Sequence, residues 1–152
     1  MATWITIDAD DLSDYSVAAK ITALRSSALA VGQDDPFDRV MPDVAATIRG
    51  MISAGGQNLL SSTANSVPPE GKTHFCWLVI EALQARLPGL ALKEEERRMI
   101  DRAWQWLRDV AKGDIGVSTP DDPITAAMQS GSGISVVTAN DRQFTRDKLA
   151  GL

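Results

Sequence analysis

The chain has 152 residues, of which 44% are hydrophobic and 23% charged, with a formal net charge of −5, one histidine and one cysteine. That length suits one domain with a usable core. The acidic balance argues against broad wrapping of nucleic acid, and one cysteine excludes both an internal disulfide and a multi-cysteine zinc site.

The opening Met1-Ala-Thr-Trp-Ile-Thr-Ile-Asp8 lacks the basic flank and long apolar run of a signal peptide. No apolar run approaches the roughly 18–20 residues of a membrane span. The expectation is a soluble chain kept in a cytoplasm. Charge is spread unevenly: residues 1–68 carry net −4, 69–113 net +1 and 114–152 net −2. The last stretch is rich in Gly, Ser, Thr, Asp and Pro, too poor in large apolar groups to offset its own ordering entropy. The pattern predicts a helical body over 1–113 and a C-terminal arm over 114–152.

Four helical patterns follow in chain order. After a capped turn at Asp8 to Asp11, Val17, Ile21, Leu24 and Ala28 fall at helical spacing, closed by Gly32 and Asp34-Asp-Pro36. The second stripe is Phe37, Val40, Val44, Ile48 and Met51, with Met41 and Ile52 at its margin. Pro42 removes an N–H there, so this helix either starts near Pro42 or kinks at it. Gly55-Gly56 ends it. The third helix is expected to start at Ser66-Val-Pro-Pro69 and run to about Arg86, with Phe75, Val79, Ala82 and Leu83 as its core stripe. Leu78 and Ile80 flank that stripe on both sides, so the helix is central or covered by another chain. Trp77 lies about 160° away from it. The fourth helix, Lys93 to Lys112, turns Ile100, Ala103, Trp104, Leu107, Val110 and Ala111 to one face. Glu94-Glu-Glu96 suit its positive end, Arg108 and Lys112 its negative end, and Gly113 stops it. Trp106 sits at the edge of that face, half covered. The fold class is therefore mainly α, a bundle of about four helices with an extended arm.

Little chemistry is on offer. His74 and Cys76 sit two apart on a helix and do not face each other, and neither has a second partner. Asp8-Ala-Asp-Asp11 and Asp34-Asp-Pro-Phe-Asp38 lack the glycine and distal glutamate of a calcium loop and read better as caps. No glycine pattern cradles a phosphate. No catalytic set, metal or cofactor is expected. The basic groups of the fourth helix alternate with acids, as on a salt-laced solvent face. Trp77, Met99 and Trp106 look outward or edgewise and are the candidate subunit or partner interface, unless the arm or a loop folds over them. In the arm, Ile134-Ser-Val-Val-Thr138 is β-prone and Arg142-Gln-Phe-Thr-Arg146 can return as the second strand of a hairpin. That strand would show Arg142, Phe144 and Arg146 on one face, firm only when added to another sheet or chain. The alternative is a tail without fixed structure.

Taken together, these residues resemble the small helical head–tail connector (adaptor, or head-completion) proteins of tailed bacteriophages, in the phage Mu-like branch. The resemblance runs through Ile7-Asp-Ala-Asp-Asp-Leu12, Asp35-Pro36 opening a helix that ends in Ile48-Arg-Gly50, and Val67-Pro68 before the apolar helix. Its most telling stretch is Glu95-Glu-Arg97 leading to Ala103-Trp-Gln-Trp-Leu-Arg-Asp-Val-Ala-Lys-Gly113. The terminal Arg142-Gln-Phe-Thr-Arg146 with Leu149 adds to it. Pro42 departs from the pattern, and 55–66 and 114–133 carry no matching motif. The resemblance implies a structural virion protein at the neck, assembled in the bacterial cytoplasm as a ring, commonly of twelve copies, beneath the portal. Its partners would be itself, the portal protein, a downstream neck or tail protein, and genomic DNA passing through the channel without specific binding. The arm residues Arg142, Phe144, Arg146 and Leu149 would dock on the portal or a neighbour. A stopper or tail-completion protein of the same neck, and a small helical DNA-binding packaging or regulatory protein, are the alternatives.

Overall fold

The computed structural model describes residues 3–16, 18–26, 32, 34–86 and 91–124. Four α-helices form the body: α1 (Ala18–Ser26), α2 (Pro36–Ala54), α3 (Lys72–Ala85) and α4 (Glu94–Lys112). Two short strands, β1 (Ile5–Thr6) and β2 (Ser66–Val67), pair antiparallel with Ile5 opposite Val67. The expected mainly helical bundle is what the chain forms.

α3 is the hub, packing on α1, α2 and α4. Phe75, Cys76, Val79, Ile80 and Leu83 are fully buried, and Trp77 and Leu78 nearly so. A helix this apolar on all sides has to be enclosed, and here it is enclosed by its own chain. α4 presents Ile100, Ala103, Leu107 and Val110 to the core, as its spacing predicts. It ends at Gly113, whose φ of +83° is the left-handed cap position that glycine fills without a Cβ clash. α2 and α4 approach closely near Gly55: a Cβ there would lie 2.9 Å from the Val110 carbonyl oxygen.

Two expectations need correction, and one of two alternatives is excluded. α2 does not start near Pro42. It begins at Pro36, where the Asp35 carboxylate accepts the Phe37 N–H at 2.9 Å, and runs through Pro42 to Ala54. Its buried line is Phe37, Ala45, Ile48 and Ile52, with Val40, Val44 and Met51 only half-buried, so the stripe is rotated toward Ala45 and Ile52. Ser66 does not cap the third helix. Pro68 is extended (φ −64°, ψ 144°), Ser66–Val67 is committed to β2, and a 3-10 turn at Pro69–Gly71 delays α3 to Lys72. The expected capped turn is present: Asp8 Oδ1 accepts the N–H groups of Asp10 and Asp11, and the Asp8 N–H donates in turn to Asp11 Oδ2, each at 3.0 Å.

Residues 114–124, read from sequence as the start of the arm, lie on the body. Ile124 N–H donates to the Leu60 carbonyl at 2.7 Å and Ser62 N–H to the Asp122 carbonyl at 2.8 Å. The Asp122 carboxylate accepts from the hydroxyls of Ser61, Ser62 and Thr63 at 2.7, 2.7 and 3.0 Å. Behind this clasp, the half-buried Arg49 guanidinium donates to the carbonyls of Ser61, Thr63 and Ser66, at 2.6, 3.2 and 2.9 Å. The same guanidinium sits 5.7 Å from the Trp4 ring, whose Nε1 donates to the Ser118 carbonyl. The expected hairpin at 134–146 lies outside the described residues.

Candidate functional site

Two grooves flank α3. The first, about 770 Å³, lies between the turn 13–16, Lys20, Trp77 and the first two turns of α4. Its position follows from local chemistry. Glu96 accepts the Lys93 N–H at 2.8 Å, fixing the start of α4, and takes both oxygens to the Lys20 ammonium at 2.7 Å. Burial alone would raise the Glu96 carboxyl, but the Lys20 bond and the Lys93 amide outweigh it and hold it below its usual value. On the neighbouring turn, burial likewise opposes the Lys72 ammonium at Asp11, and Lys72, 2.6 Å away, wins.

The Trp77 indole stands edge-on to the Tyr15 ring, with centroids 6.3 Å apart at 66°. It is only 7% exposed, and its Nε1 is buried without an acceptor. Of the two readings of Trp77, outward-facing or covered by a loop, the structure has the second: Tyr15, from the loop before α1, packs on it. Met99, half-buried, shares this groove with Trp77. Trp106 is half-buried, as its place on the helix predicts, but lies two turns farther along α4. There it stacks on His74 (4.8 Å, 21°), and Gly71 leaves room for it, since a Cβ at Gly71 would stand 3.1 Å from the indole. The three residues therefore do not form one patch. Arg142, Phe144, Arg146 and Leu149 lie outside the described residues.

The second groove, about 420 Å³, opens between α2, α3 and α4. Ile48 and Leu78 form its floor, Val44, Ala82 and Trp104 its walls, and Asp43 and Glu81 its rim. The Trp104 Nε1 donates to Glu81 Oε2 at 2.9 Å, which holds the indole upright on the wall. Sequence spacing places Trp104 on the core face, and it is there that this hollow escapes notice. The small side chains Ala82 and Ala85 on α3 leave the space, and nothing in a one-helix pattern reports what stands opposite them.

Burial pushes the Cys76 thiol up to about 12, so it is a structural thiol with almost no thiolate at neutral pH. Burial also lowers the His74 pKa. The acidic runs serve as caps, and no group of three or more metal-ligating side chains converges among the described residues. Among the same residues, no helix is long and apolar enough to cross a membrane. What these features define is a small helical bundle with two side grooves and a polar clasp. No family model, no curated protein and no solved structure matches the chain.

Proposed function

We propose that the chain is a structural subunit of a tailed-bacteriophage neck. In this reading copies of it form a ring, twelve in the family it resembles, that joins the portal to the next neck or tail component and continues the DNA channel. The observation that carries the reading is the order and spacing of the resembling segments along the chain. The most telling of them, 95–113, falls within and just beyond one unbroken helix, α4. That helix buries one face and leaves Arg97, Arg98, Asp101, Arg102, Gln105 and Arg108 exposed for contacts. A net charge of −5 suits a passage that phosphate must cross without being held. The role is assembly, with no catalysis and no cofactor, and its place is the virion neck.

The test is imaging of virions and of purified portal mixed with this protein. The reading expects a neck ring of this protein under the portal. Absence from the virion, together with a protein that stays monomeric beside the portal, sinks it. Density farther down the neck would assign the stopper or tail-completion role instead. Tight, salt-dependent binding to duplex DNA would favour a packaging or regulatory protein.

A further inference from the structure

We propose that the apolar groove between α2, α3 and α4 is the seat of the segment Arg142-Gln-Phe-Thr-Arg146, donated by a neighbouring copy of the chain. The inference deepens the neck reading by giving the arm a definite partner, and rests on that reading for the source of the donor.

Shape and charge both point to this occupant. The groove's volume of about 420 Å³ lies at the small end of the range for ligand sites, enough for one aromatic ring and its neighbours. The floor of Ile48 and Leu78 and the walls of Val44 and Trp104 offer an apolar slot. The slot is deep because Ala82 and Ala85 are small. The rim is acidic on two different helices: Asp43 on α2 and Glu81 on α3. Asp43 is exposed with no ion-pair partner among the described residues, and Glu81 spends one oxygen on Trp104. Among the described residues, no basic side chain lines the groove.

The segment 142–146 is the complement: one aromatic residue between two arginines at alternate positions. In an extended strand all three would share a face, with the arginines roughly 13 Å apart. Phe144 would enter the slot while Arg142 and Arg146 pair with the Asp43 and Glu81 carboxylates, where guanidinium–carboxylate pairing adds geometric selectivity. Residues 125–141 lie between Ile124, the last described residue, and the segment, a length of chain sufficient for the donor to reach another copy.

The experiment titrates a labelled peptide of residues 139–150 against the full chain, diluted until sedimentation shows monomers. The expected result is saturable binding, weakened at least tenfold when the peptide carries Phe144→Ala. The same loss is expected when the chain carries Ala82→Arg, which fills the slot. Asp43→Lys, at an exposed position that leaves the core untouched, should weaken binding severalfold even if Ala82→Arg disturbs the fold. A full chain with Phe144→Ala should bind the peptide as well as wild type. Much tighter binding to that variant would mean that the arm occupies its own groove, and the proposal falls. Absent binding, or binding indifferent to all three substitutions, overturns it too. Because neither portal nor virion enters this assay, its failure leaves the neck reading standing, and the converse also holds.

Discussion

In the bundle, Ile48, Ile52, Phe75, Val79, Leu83, Ala103 and Leu107 are at most 2% exposed, and burial of such side chains dominates the joint between α2, α3 and α4, where the Trp104–Glu81 bond adds a single polar link between α3 and α4. At a second joint the loop 60–66 meets 118–124 through a network of hydrogen bonds. The clasp is closed instead by the Arg49 guanidinium, the Asp122 carboxylate and a row of hydroxyls and carbonyls. The first joint is non-directional and tolerates small shifts; the second works only in one geometry, because every bond in it has an angle to satisfy. The two regions should therefore fail differently: the bundle globally and the clasp locally.

The largest effect is expected in the bundle. Leu107→Ala removes a fully buried side chain from the α4 face and should cost about 2–5 kcal/mol of unfolding free energy in urea. Loss should be cooperative, with hydrogen exchange rising across all four helices together. The clasp comes second. Arg49→Ala leaves the carbonyls of the buried Ser61 and Ser66 without that donor and removes the cation from beside Trp4. A cost of about 2–3 kcal/mol follows from unpaired buried acceptors. Exchange of the Ser62, Thr63 and Ile124 amides should accelerate well before the α3 amides respond. If Arg49→Ala instead cost more than Leu107→Ala, or opened α3 first, the distinction between the two regions would collapse.

The same contrast explains which parts of the structure the sequence displays. α4 is legible because a single periodic stripe ends in Gly113, and the buried face follows from spacing alone. The N-terminal carboxylates are legible as caps because their bonds close within three residues. The clasp is invisible because Ser61 and Asp122 are 61 residues apart and Trp4 and Ser118 are 114 apart. No local pattern marks Asp122 as the acceptor for three hydroxyls. Trp77 marks the boundary. A helical wheel gives its angular position on α3 but shows only which way a side chain leaves its own helix, so the choice between an open and a covered indole rests on Tyr15, which arrives from another segment. The second groove is hidden for the same reason, since a hollow belongs to three helices and is written in none of them.

The smallest effect separates the two regions by pH. His74 is the only histidine, half-buried against Trp106 on the bundle side, and burial lowers its pKa below the ordinary histidine value of about 6.5. Above that value it is neutral whether the chain is folded or not. As pH falls through 6.5 the unfolded chain takes up the proton first, so the unfolded state binds more protons and stability declines. The loss is complete once pH has passed below the folded value. The clasp has no lever in this window. Asp122 is held below the ordinary carboxylate range by the Ser61 and Ser62 hydroxyls and stays ionised. Arg49, although burial lowers its pKa, stays a cation. Lowering pH from 7.5 to 5.5 should therefore reduce Tm by a few degrees at most and lower the protection of the α3 amides, measured relative to their intrinsic exchange rates at each pH, while the protection of the Ser62 and Ile124 amides stays unchanged. His74→Phe keeps a ring against Trp106 and removes the proton, so its Tm should be flat over the same range. A slope that survives in His74→Phe would place the titrating group elsewhere and remove the bundle's claim to it.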